Sequence, residues 1–118
     1  MENVLIINSN LMQSKRLDII LTLEGYYCIA VIDGSEAINL LLKRRFEIIF
    51  FNENTDNISL TDLKKSFKTL NLSLPIFVIK QDYQEQDLIK DPDYNIYYMD
   101  HRLISERLPE KIKEVVKH

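Results

Sequence analysis

Few side chains in this 118-residue sequence are equipped for covalent or metal chemistry, and those few follow short apolar runs. Asn8 and Ser9 follow Val4–Ile7, and Asn52 follows Phe46–Phe51. Lys80 follows Ile76–Ile79, while Asp100 and His101 follow Ile96–Met99. An amide donates and accepts hydrogen bonds but is no nucleophile for phosphoryl transfer. Hard divalent cations are held by carboxylate oxygens, and Asn8, Ser9 and Asn52 offer neutral oxygens only. Lys80 and a protonated His101 are suited instead to a small anion. Other chemistries are excluded by count. Cys28 stands alone, so no disulfide and no cysteine zinc cluster can form. Gly25 and Gly34 are the only glycines, where average usage would give about 8, so no glycine-rich phosphate loop can be built.

The positions of these residues depend on the elements that carry them. Val4–Ile7 (VLII) and Phe46–Phe51 (FEIIFF) have the unbroken apolar character of strands buried on both faces. Tyr26–Ile32, Ile76–Ile79 and Ile96–Met99 complete five strand candidates. Helix-period stretches lie between them. One runs from Leu11 to Glu24 after the N-cap candidates Asn8, Ser9 and Asn10, and Gly25 stops it. The next begins near Ser35 and ends at Lys43-Arg44-Arg45, where cations suit the helix dipole. A third places Leu60, Leu63, Phe67 and Leu70 on one face, a weak, charge-rich fourth spans Asp82–Lys90, and the last carries Leu108, Ile112, Val115 and Val116. Strands alternating with helices predict a doubly wound five-stranded parallel sheet with five helices. Ligands of such sheets collect at the carboxyl ends of the strands. The residues singled out above are the ones at those ends.

The order V-L-I-I (Val4–Ile7), L-x-x-E-G-Y (Leu21–Tyr26), D-G-S-E-A (Asp33–Ala37), F-E-I-I-F-F before Asn52 and P-I-F-V-I (Pro75–Ile79) resembles a response regulator receiver domain, the CheY-like, flavodoxin-like fold, across residues 1–118. The resemblance implies a phospho-acceptor aspartate at the end of strand three, two acidic residues after strand one that hold Mg²⁺, a Thr or Ser ending strand four and a Lys ending strand five. This sequence departs at each position. Asn8 and Ser9 stand for the acidic pair, Asn52 for the acceptor, Lys80 for the hydroxyl residue and His101 for the lysine. Arg102 replaces the proline that usually follows, so a trans peptide is expected there.

The expectation is therefore a receiver-like domain that has lost phosphotransfer, needs no Mg²⁺, is not an enzyme and works as a regulatory protein-interaction or dimerisation module. Its expected face is the fourth helix, fifth strand and fifth helix, where Tyr83, Tyr94, Tyr97 and Tyr98 supply the aromatic content of an interface. A DNA-binding or other output domain is expected outside this chain. Two rival readings are phosphoryl acceptance at Asp56 or Asp100, and an anion held by Lys80 and His101 in the carboxyl-end crevice. With 15 basic and 18 acidic residues the formal charge is −3, which argues against nucleic acid or an anionic membrane as the main partner. No apolar run approaches the 18 or so residues of a membrane span, and no signal peptide is read at the start, so a cytoplasmic setting is expected.

Overall fold

The computed structural model describes residues 2–116. Six strands form one sheet: β1 (Asn3–Ile7), β2 (Tyr27–Val31), β3 (Ile48–Asn52), β4 (Ile76–Lys80), β5 (Ile89–Lys90) and β6 (Ile96–Asp100). Their order is β2-β1-β3-β4-β6-β5. The five long strands are parallel, in the 2-1-3-4-5 order of flavodoxin-like sheets, so the crevice lies where the order reverses between β1 and β3. Four helices cover the sheet: α1 (Leu11–Leu23), α2 (Gly34–Lys43), α3 (Leu60–Leu70) and α4 (Leu108–Val115). A single 3₁₀ turn, His101–Leu103, follows β6.

The two-residue period of the strands sorts their apolar residues into two cores. Val4, Ile6, Phe50, Phe77, Ile79, Tyr97 and Met99 point to the side of α1 and α4, where they meet Leu17, Leu21, Leu108 and Ile112. Leu5, Ile7, Phe51, Ile76, Val78 and Ile96 point to the side of α2 and α3, against Ala37, Leu41 and Leu63. Phe50, Phe77 and Tyr97 stack in series across three neighbouring strands, with ring centroids 4.9 and 5.2 Å apart.

The helix ends follow from local chemistry. Asn10 caps α1, its side chain accepting from the Gln13 amide. Gly25 takes φ +93°, a conformation that stops the helix at little cost for glycine alone. Asp33, rather than Ser35, caps α2, accepting from the Ser35 amide at 2.8 Å. Gly34 has no room for a Cβ, which would run into the Asn57 carbonyl oxygen and the Ile58 Cβ. Ser59 and Asp62 close a capping box at the start of α3, and Asn71 ends that helix in the left-handed region at φ 54°.

The expected fourth helix is not formed. Residues 81–88 run as an irregular loop, and Ile89–Lys90 then pairs antiparallel with β6 through Tyr98 and Tyr97. Among the described residues the sheet thus has six strands rather than five, and the helices number four rather than five. The reason is compositional. Between Asp82 and Lys90 only Tyr83, Leu88 and Ile89 carry large apolar groups, too few for a stripe that a helix could bury. Asp82 and Gln84 instead adopt left-handed conformations, φ 52° and 59°, that turn successive amides inward. The peptide before Arg102 is trans, as expected, and no cis bond occurs among the described residues. Cys28 is half-buried rather than buried, and burial raises its thiol to about 11, leaving it a poor nucleophile.

Candidate functional site

β1 and β3 are neighbours, so Asn8 and Asn52 emerge side by side at their carboxyl ends, continuing the rows of Ile6 and Phe50. Both are buried, at 0% and 3% exposure. The Asn52 side-chain amide (Nδ2) donates to Asn8 Oδ1 at 3.1 Å and to Gln13 Oε1 at 2.8 Å, and Asn8 Nδ2 donates to the same Gln13 oxygen at 2.7 Å. Two backbone donors fix how these amides lie. The Asn10 N–H donates to Asn8 Oδ1 at 2.9 Å and the Asn54 N–H to Asn52 Oδ1 at 2.9 Å. With both oxygens turned toward main-chain amides, both NH₂ groups must face Gln13, which in turn must present its oxygen. Thr55 closes the floor, its hydroxyl donating to the Ile7 carbonyl at 3.3 Å.

The network is neutral, and its three oxygens and both asparagine NH₂ groups are paired. Its three amide oxygens are already acceptors, and it includes no carboxylate, so its donor set does not suit Mg²⁺. Asn52 also lacks the carboxylate oxygen that would attack a phosphoryl donor. Ser9 is exposed and stands outside the network.

Strand alternation separates the remaining candidates. Lys80 and Asp100 are register partners and continue the rows of Val78 and Tyr98, on the sheet side opposite Asn8 and Asn52. Lys80 pairs with Glu53 at 3.0 Å and lies 5.6 Å from the ring centroids of both Tyr83 and Tyr98. His101 instead borders a cleft with Asn10, Met12, Gln13, Arg16 and Ile104, so the anticipated joint site of Lys80 and His101 is not assembled. β6 ends at Asp100, and His101 opens the 3₁₀ turn that follows it.

Asp100 is 1% exposed and fully engaged. One carboxylate oxygen accepts from the Arg102 amide (2.9 Å) and Arg102 Nε (2.8 Å). The other accepts from the Tyr83 and Gln84 amides at 3.0 and 3.1 Å and from an Arg102 terminal nitrogen at 3.2 Å. The hydrogen bonds from Arg102 hold the carboxyl well below the usual carboxylate range. Asp100 is thus a clasp on the loop that replaces the fourth helix, and its oxygens are not free to accept a phosphoryl group. Asp56 is exposed.

The tyrosines divide. Tyr97 is 6% exposed and belongs to the stacked core, which removes it from the expected interaction face. Tyr94 is exposed beneath Lys64, whose ammonium lies 4.2 Å from the ring centroid. Tyr98 is half-buried, donates its hydroxyl to Asp91 at 3.1 Å and meets Tyr83 at 6.4 Å between centroids. The face contains a loop and β5 where a helix was expected. Gln13 and the clasp of Asp100 with Arg102 are the residues that sequence reasoning missed. The spacing of Gln13 from the Asn10 cap, on the inner side of the first turn of α1, was the available signal.

No family model and no curated protein matches this chain. Solved structures do. A protein assigned as a response regulator from Chloroflexus aurantiacus J-10-fl superposes with a TM-score of 0.78 at 18% identity, over 97% of this chain and 96% of that one. The N-terminal domain of a response regulator/sensory box/GGDEF three-domain protein from Carboxydothermus hydrogenoformans gives 0.76 at 17% identity, over 96% and 91%. A response regulator receiver domain protein from Bacillus halodurans C-125 gives 0.75 at 12% identity, over 99% and 98%. No helix among the described residues is long and apolar enough to cross a membrane. The chain has the α/β flavodoxin-like fold of receiver domains, with a neutral amide cluster in its carboxyl-end crevice.

Proposed function

We propose that this domain is a regulatory protein-interaction module that works without phosphorylation and without Mg²⁺. The observation that carries this reading is the network of Asn8, Asn52 and Gln13, in which all three amide oxygens and both asparagine NH₂ groups are paired with one another or with two backbone amides. Such a network holds the crevice in one arrangement at neutral charge, with no carboxylates for a cation to relieve. Signal then enters through a partner surface rather than through covalent modification. Tyr83, Tyr94 and Tyr98, with Lys64 and Lys80 over their rings, supply that surface, either for a protein partner or for a second copy of the chain.

The test is intact-mass spectrometry of the protein incubated with acetyl phosphate and Mg²⁺. An unchanged mass is expected. A gain of one phosphoryl group, mapped to Asp56, Asp100 or any other residue, would overturn the reading.

A further inference from the structure

The polarity of the amide network has an outward consequence. Because Asn8 and Asn52 both deliver NH₂ groups to Gln13, the Gln13 oxygen faces inward and its own NH₂ group has no partner among the described residues. Gln13 is half-buried and lines a cleft of about 250 Å³ bordered also by Asn10, Met12, Arg16, His101 and Ile104. Arg16, one turn further along α1, is exposed and pairs with no acidic side chain among the described residues. His101 enters from the opposite wall. The buried carboxylate behind it, Asp100, is engaged by Arg102, and its nearer oxygen lies 4.0 Å from His101 Nε2.

We propose that this cleft binds a small oxyanion. The Arg16 guanidinium supplies charge and a planar fork of donors, Gln13 Nε2 supplies a neutral donor, and His101 supplies a third. The first turn of α1 adds the favourable end of a helix dipole. Ile104, which is buried, also borders the cleft, whose volume of about 250 Å³ is ample for a phosphate-sized group. Lys80, on the other side of the sheet, takes no part. An anion bound to Gln13 Nε2 polarises the amide whose oxygen receives Asn8 and Asn52, so occupancy stiffens the network without altering any covalent bond. The site stands whether or not the domain accepts a phosphoryl group, so its failure and that of the reading above are separable.

The probe is inorganic phosphate, titrated into the ¹⁵N-labelled protein at pH 7 with chloride holding ionic strength constant. Saturable shifts of the Gln13 side-chain NH₂ and Arg16 Nε–H resonances are expected. Arg16→Gln, an exposed substitution that leaves the remaining spectrum in place, is expected to weaken binding about tenfold or more, and Lys80→Gln to leave it unchanged. Three results would overturn the proposal. These are no saturable shift with phosphate on the order of tens of millimolar, equal binding by Arg16→Gln, or loss of binding in Lys80→Gln.

Discussion

Restoring a carboxylate at position 52 is the sharpest perturbation of the amide network. In Asn52→Asp the Nδ2 group that donates to Asn8 Oδ1 at 3.1 Å and Gln13 Oε1 at 2.8 Å becomes an oxygen facing two oxygens. Below about pH 4 the side chain is protonated and its hydroxyl can serve one of the two acceptors, leaving the other unmet at a cost of roughly 1–3 kcal/mol. At higher pH the group must either keep its proton or ionise at 3% exposure among amide oxygens. Both burial and those oxygens raise its folded pKa above the unfolded value of about 3.9. The unfolded chain then releases its proton first, so the variant loses stability as pH rises between the two values. A rise of one to three units adds roughly 1.4–4 kcal/mol by pH 7. Urea unfolding of wild type and Asn52→Asp at pH 4 and pH 7 measures both quantities. Equal stabilities at pH 7, or a deficit that does not grow with pH, would refute the premise that Asn52 sits buried among neutral amides.

Other consequences are read the same way. Tyr97→Ala removes the end of the Phe50–Phe77–Tyr97 stack and is expected to cost about 3–5 kcal/mol in urea unfolding, well above the cost of Tyr98→Ala at the surface. Asp100→Asn is expected to destabilise the fold at neutral pH. The Asp100 carboxyl is held low, so its contribution is present above about pH 4 and is lost as pH falls toward the folded value; the gap between variant and wild type should narrow in acid. Gly34→Ala drives a methyl group into the Asn57 carbonyl and should lower the thermal midpoint by several degrees. Asn71→Ala, at φ 54°, should cost about 1 kcal/mol, while Asn71→Gly should not.

Much of this architecture is legible in the sequence because its strands are short apolar runs and its helices end on residues with one physical purpose. Gly25 is an example of such an end, and the cap of α1 at Asn10 was among three candidates. The fourth helix was misread because a charge-rich stretch between two strands satisfies the alternation without supplying a face to bury. What holds that stretch is a carboxylate ten or more residues away, which no local window contains. The site was half legible. Asn8 and Asn52 were found from the ends of the strands, but the separation of Lys80 from His101 required strand register to one residue. Gln13 was overlooked because a glutamine in the first turn of a helix reads as surface, and only the positions of the two strand ends reveal that it bridges them.

The substitution of a clasped loop for a helix changes where the fold tolerates alteration. A helix shares its bonds evenly along its length, so no one side chain is indispensable to it. Residues 81–88 are tied at Tyr83 and Gln84 to the distant Asp100, at Asp87 to Lys111 of α4, and at Leu88 to the core beneath. Glu85 and Gln86 are exposed between these ties, and an insertion there would lengthen an arc whose attachments stay put. Change is therefore cheap at Glu85 and Gln86, and a tether, tag or grafted peptide placed between these two would leave the sheet as it is.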